Sequence, residues 1–187
     1  MLININQLRG SEHGDVLRGS DATNYTETFE ARQGNDTIDG RGGFDIARYN
    51  TYGNGSAGVD ANLATGTANG LDFGTDTLSN IEGLYGSNFA DTLVGGNVAN
   101  GADYTYTATN LEIFRGEAGN DSIDGGVGLD RVDYTSSTAG VSVNLQAGTA
   151  SDGLGGTDTL VNIEGVRGSN FNDVLVGSDR VDSGDDY

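Results

Sequence analysis

Residues 116–134, GEAGNDSIDGGVGLDRVDY, set Asp121 and Asp130 nine positions apart in a run of glycines. Written in nines, they read G-E-A-G-N-D-S-I-D over 116–124 and G-G-V-G-L-D-R-V-D over 125–133. The second follows G-G-x-G-x-D-x-U-x, where U is a large aliphatic residue, and the first departs from it only at Glu117. Glycine at the first, second and fourth places suits a tight six-residue turn, because it tolerates positive φ and close backbone approach. The last three residues, such as Ser122-Ile123-Asp124, then make a minimal strand. Its central aliphatic faces inward and its neighbours outward.

The same device lies earlier in the chain, at an offset of 85, as A-R-Q-G-N-D-T-I-D over 31–39 and G-R-G-G-F-D-I-A-R over 40–48, with Asp36 and Asp45 in the acidic places. Farther along, GVDANLATGTA (58–68) matches GVSVNLQAGTA (140–150) at an offset of 82, and TDTLSNIEGLYGSNFADTLVG (75–95) matches TDTLVNIEGVRGSNFNDVLVG (157–177). A partial copy, GSEHGDVLRG (10–19), opens the chain. Residues 1–187 thus read as a single domain built of two repeats, about 10–95 and 86–177, with irregular ends. Weaker nonapeptides over 10–18, 71–79, 86–94, 153–161 and 168–176 add Asp15, Asp76, Asp91, Asp158 and Asp173.

This nonapeptide resembles that of the RTX, or haemolysin-type, calcium-binding repeat family. The resemblance covers most of residues 10–177 and implies an all-β, right-handed parallel β-roll, or β-helix solenoid, stabilised by calcium in its turns. It also implies export from a bacterium. The opening MLININQLRGS is too short and polar for a cleavable signal peptide, so secretion without one is expected.

Composition agrees. The chain carries 28 acidic residues against nine basic ones, all arginine, for a net charge of −19, and only 35% of it is hydrophobic. Such a chain buries too little apolar surface to offset its entropy and self-repulsion, so it needs something cationic to fold. Its acidity argues against nucleic acid and anionic membrane surfaces as partners. Having no cysteine, it forms neither disulfides nor thiolate metal sites. No apolar stretch approaches the ~20 residues of a membrane span.

Two nonapeptides make one coil, and about nine coils at the ~4.8 Å strand spacing make an elongated stack. Counting turns on alternate sides stacks Asp15 with Asp36, Asp76 with Asp91, Asp91 with Asp121 and Asp158 with Asp173. On the other side Asp45 meets Glu27 and Asp130 meets Glu112. Stacked carboxylates repel unless a hard cation with six to eight oxygen ligands joins them, which suits calcium better than magnesium. Asp15, Asp36, Asp45, Asp76, Asp91, Asp121, Asp130, Asp158 and Asp173 are therefore the candidate ligands. Gly34, Gly43, Gly119 and Gly128 shape the tandem turns and count among the metal-site residues, and Asn35 and Asn120 support the turns or add oxygens. About six Ca2+ ions are expected. The paired NIE segments, 80–82 and 162–164, read as short structural turns.

On outward faces, Glu30 should neighbour Arg48, and Arg115 should neighbour Asp133, the same pair with its charges reversed. Arg18 beside Asp39 makes a third. His13 is the only histidine, and no nucleophile frame or cofactor loop accompanies it, so no enzyme is expected. The function expected is calcium binding coupled to folding, in a monomeric structural module of a secreted bacterial protein. Polysaccharide or another domain of a larger protein are the further partners considered. The alternative is a calcium-dependent carbohydrate-binding accessory module of a polysaccharide-modifying enzyme or adhesin. It needs an arginine and aromatic stripe on one sheet, which Arg18, Arg48, Arg115 and Arg167 supply in part. Tyr104 and Tyr106, in the excursion 95–112, read as covering one side of the roll.

Overall fold

The three residues that close each tandem nonapeptide do form strands. In the computed structural model, which describes residues 5–24, 26–50, 55–96 and 111–178, Thr37–Asp39 and Ser122–Asp124 are strands. In each the middle residue, Ile38 or Ile123, is buried and the preceding one is exposed. The tandem turns place Gly34, Gly43, Gly119 and Gly128 at φ between +127° and +150°, which a side chain would strain.

Eighteen strands occur among the described residues, with no helix. Seven form one sheet: β1 (Gln7–Arg9), β3 (Thr26–Glu30), β5 (Phe44–Arg48), β9 (Gly83–Tyr85), β11 (Leu111–Arg115), β13 (Leu129–Asp133) and β17 (Gly165–Arg167), paired in that order and all parallel. The second sheet holds β2 (Val16–Arg18), β4 (Thr37–Asp39), β6 (Asp60–Asn62), β7 (Thr67–Gly70), β8 (Gly74–Ser79), β10 (Thr92–Val94), β12 (Ser122–Asp124), β14 (Ser142–Asn144), β15 (Thr149–Ser151), β16 (Thr157–Val161) and β18 (Val174–Val176). Its order is β18-β14-β15-β16-β12-β10-β6-β7-β8-β4-β2. The chain passes back and forth between the two sheets, neither closed into a barrel, an arrangement consistent with a β-solenoid.

Inward-facing residues of both sheets make the core. Phe29 and Phe114 are fully buried, and Ile38, Leu84, Leu93, Ile123 and Val132 are buried with them. Leu17 is only partly buried, and Leu175, expected inside, is 48% exposed. The reason is position: β2 and β18 are the edge strands of their sheet, each with a neighbour on one side only.

Two features depart from the turn count. Both 60–79 and 142–161 fold as three-stranded meanders inside one sheet, with β7 and β15 antiparallel to their neighbours. Their tight turns use Gly66 and Gly148 at φ +67°, and Asn62 and Asn144 cap them by accepting the amides of Thr65 and Ala147 at 2.9 Å. The hairpins reverse the chain without crossing to the other sheet, so the eighteen strands divide unevenly and two expected stacks are separated. The second departure concerns Glu30. It lies beside Arg48 in register but pairs with Arg9 of β1 at 2.9 Å, while Arg48 donates to Asn50 Oδ1 at 3.2 Å. The other two pairs form, Arg115–Asp133 at 3.1 Å and Arg18–Asp39 at 3.6 Å. Of the excursion 95–112, residues 97–110 lie outside the described residues, and Tyr104 and Tyr106 with them.

The second place of the motif also carries strain. Arg32, Arg41 and Glu117 stand where the pattern has glycine, at φ +77°, +69° and +67°. A non-glycine residue in that region costs ~1–2 kcal/mol. Arg41→Gly and Arg41→Ala both remove the Arg41–Asp21 ion pair, but only glycine relieves the backbone. Arg41→Gly should therefore be more stable than Arg41→Ala by about 1 kcal/mol, measured by thermal unfolding in one buffer. Equal stabilities would refute the strain.

Candidate metal centre

Each turn delivers its acidic residue to the start of a strand, and parallel pairing stacks those starts. On the eleven-stranded sheet this gives two ladders of three. The Asp15 amide donates to Asp36 Oδ1 at 2.7 Å, and the Asp36 amide to Asp76 Oδ1 at 3.0 Å. In the second ladder the Asp91 amide donates to Asp121 Oδ1 at 2.9 Å, and the Asp121 amide to Asp158 Oδ1 at 3.2 Å.

Stacks 15/36 and 91/121 are thus present, whereas 76/91 and 158/173 are not. Asp76 and Asp158 stack on Asp36 and Asp121 instead. Asp91 and Asp173 accept the amides of Val59 and Val141, at 2.7 and 2.9 Å, from the segments that enter the hairpins. The two strands inserted by each hairpin are the cause.

On the seven-stranded sheet the acids form one continuous column. Glu27 is in register with Asp45, whose amide donates to Glu82 Oε2 at 2.9 Å. Glu82 precedes Gly83, which pairs with Ile113, so Glu112 follows it. Glu112 is in register with Asp130, whose amide donates to Glu164 Oε2 at 2.9 Å. Both expected contacts, 27/45 and 112/130, are found here. Glu82 and Glu164 come from the NIE segments, which the sequence pattern marks only as turns. Their repetition beside a strand start is the signal for them, but using it requires the correct register.

Burial makes this arrangement unfavourable by itself. Asp36, Asp45, Asp76, Asp91, Asp121, Asp130 and Asp158 are all buried. Asp36 Oδ2, Asp121 Oδ2 and both carboxylate oxygens of Asp45 and Asp130 have no hydrogen-bond donor. Burial, with neighbouring carboxylates adding to it, pushes Asp45, Asp76, Asp121 and Asp158 up to about 7, Asp130 to about 8 and Asp91 to about 6. Glu82 and Glu112 are raised by burial as well. Asp15 and Asp173, at the exposed ends, are held low by hydrogen bonds from Ser11 and Ser169.

Two tyrosines that lie outside the nonapeptide pattern serve the ladders. Tyr49 and Tyr134, equivalent positions of the two repeats, donate their hydroxyls to Asp76 Oδ2 at 3.1 Å and Asp158 Oδ2 at 2.9 Å. Asn35 and Asn120 hold the next coil in place by accepting the amides of Thr75 and Thr157, at 3.0 and 2.8 Å.

The residues present fit a hard cation. Among the described residues no three or more acidic or histidine side chains converge as a cage, so a bound ion would complete its shell with backbone carbonyls and water. Such carbonyls are at hand: a Cβ at Gly40 would strike the Asn80 carbonyl oxygen and lie 2.7 Å from Asp45 Oδ2.

The opposite end of the strands carries a different pattern. Arg9, Glu30, Arg48, Tyr85, Arg115, Asp133 and Arg167 form one row across the seven-stranded sheet. The Arg115 guanidinium lies 4.3 Å from the Tyr85 ring centroid and that of Arg48 5.8 Å. Arg18 is on the other sheet. Compared with known proteins, the chain matches no protein-family model and no curated sequence.

The raised carboxylates set a pH dependence for the metal-free protein. Their folded-state values lie above the ordinary ~3.9 of an unfolded aspartate, so the folded state binds more protons in between. Their stability contribution is complete below about pH 4 and is lost as pH rises through about 6 to 8. In metal-free buffers the melting temperature should fall from about pH 5 to about pH 8. A level or rising profile would contradict the burial of these acids without counter-charge.

Proposed function

We propose that this chain is a calcium-binding module of the RTX type, a right-handed parallel β-roll whose folding is coupled to metal. The observation that carries the reading is the set of buried carboxylate oxygens without donors at Asp36, Asp45, Asp121 and Asp130. They recur in both repeats, at the acidic place of the tandem nonapeptides. Bound calcium would neutralise these stacks and bridge adjacent coils. Six Ca2+ would take the formal charge from −19 to about −7.

Energetics supports coupling rather than decoration. A short strand such as β4 or β12 buries one large aliphatic, which contributes ~1.5–3 kcal/mol. Ordering a single residue's backbone costs ~1–2 kcal/mol, and each motif orders nine. Asp36, Asp45, Asp76, Asp91, Asp121, Asp130 and Asp158, with Glu27, Glu82, Glu112 and Glu164, supply the charge that a cation turns from repulsion into cohesion. The module proposed is structural rather than catalytic. It would stay loose in a calcium-poor bacterial cytosol and order after secretion.

A second reading, a calcium-dependent carbohydrate-binding module, is favoured by the row around Tyr85. Its arginines are mostly committed: Arg9 to Glu30, and Arg115 and Arg167 to Asp133 at 3.1 and 3.7 Å. The row therefore serves first as a ladder between strands. Glycan-array binding with and without calcium separates the two readings.

Circular dichroism at about pH 8 in excess chelator should show mostly coil, and millimolar Ca2+ should restore a β spectrum. Asp121→Ala should raise the calcium midpoint roughly tenfold or more, as loss of a metal-supporting group does. Asp60→Ala, in the exposed first position of β6, should leave it in place. An unchanged spectrum and melting point without metal would overturn the proposal.

A further inference from the structure

At one buried position the second repeat has an acid where the first has glycine. Asp152 is fully buried and follows β15, where the first repeat, at the offset of 82, has Gly70. Its Oδ1 accepts the amides of Leu154, Gly155 and Gly156 at 2.8, 2.9 and 2.8 Å, shaping the turn into β16. Its Oδ2 is buried and has no donor. Three positions on, Gly155 stands where the first repeat has Phe73.

Those two differences belong together. In the first repeat Phe73 is buried and meets Tyr49 edge-on, with ring centroids 5.1 Å apart. A Cβ at Gly70 would come within 2.8 Å of the Phe73 ring, so that turn has no room for a carboxylate. In the second repeat a Cβ at Gly155 would meet nothing within 4 Å. One repeat closes the turn with an apolar plug. The other has an exposed glycine at 155 and buries an acid in its turn.

A backbone oxygen lies beside that acid. A Cβ at Gly156 would fall on the Gly119 carbonyl oxygen and lie 2.7 Å from Asp152 Oδ2, so both oxygens border one point. Gly119 belongs to the turn that ends in Asp121, whose own Oδ2 is buried without a donor. Asp152 adds to the negative field on both Asp121 and Asp158. Two buried, partnerless carboxylate oxygens and a carbonyl are hard donors in an adaptable setting, which suits calcium.

We propose that Asp152 and Asp121, with the Gly119 carbonyl, hold a calcium ion particular to the second repeat. Asp152 lies outside the nine-residue motif, and the first repeat has no counterpart. This inference rests on the calcium reading above, and the test distinguishes the two. Bound calcium is counted by native mass spectrometry and equilibrium dialysis on the whole chain, with Asp60→Asn as control. Asp152→Asn keeps an oxygen for the three turn amides and removes the charge, so it should bind one calcium fewer than the unaltered chain. Asp152→Gly, which gives the second repeat the residue that the first has at this place, should also bind one fewer while keeping the β spectrum. It decides the matter if Asp152→Asn does not fold. No calcium on the unaltered chain would sink the general reading. Calcium bound in equal number and affinity by the unaltered chain and the folded variant would overturn this inference alone.

Discussion

A carboxylate that accepts the backbone amide of the neighbouring coil, with an oxygen left over and no donor for it, is the contact on which this structure depends. Asp36 and Asp121 show it in its plainest form: Oδ1 takes an amide from the coil before, and Oδ2 is buried alone. Hydrogen bonding fixes the spacing of the coils, and the surplus charge makes that spacing unfavourable by itself. Protonation or a cation must resolve the conflict. The raised values of Asp45, Asp76, Asp121, Asp130 and Asp158 express it in protons. The proposed calcium expresses it in metal.

The apolar core is limited by the same turn-rich design. Phe29 and Phe114, with Ile38, Leu84, Leu93, Ile123 and Val132, fill the space between the sheets, but short strands offer few such residues. A chain of this charge gains little from a surface ion pair such as Arg18–Asp39, worth ~0.2–1 kcal/mol. Cohesion between coils therefore lies in the turns. The column from Glu27 to Glu164 runs unbroken across the junction between repeats, since Glu82 of the first lies between Asp45 and Glu112 of the second. A cation bound there would join the two repeats as well as the coils within them.

The hairpins show how two near-identical repeats acquire different chemistry. Both reverse at a left-handed glycine and return through an antiparallel strand. The turn after that strand holds Phe73 in one repeat and Asp152 in the other, and the Phe73 ring takes the volume that a carboxylate at Gly70 would need. In this turn the repeats diverge, while the stacked acids keep their places.

Local chemistry was legible in the residues themselves. The nine-residue period set the strands over Thr37–Asp39 and Ser122–Asp124, the inward aliphatics and the left-handed glycines, because these depend on a few consecutive residues. The acids of the tandem turns and two of the charge pairs followed from the same count. Adjacency between coils was decided only by the tertiary structure. The stretches NLATG and NLQAG look alike whether they cross between sheets or turn back within one, and that choice decided that Asp76 meets Asp36 rather than Asp91. Glu82, Glu164, Tyr49 and Tyr134 join the acids through contacts distant in sequence, a relation no local period encodes. The sequence determined what each turn presents; the hairpins, by inserting two strands, determined which turns face one another.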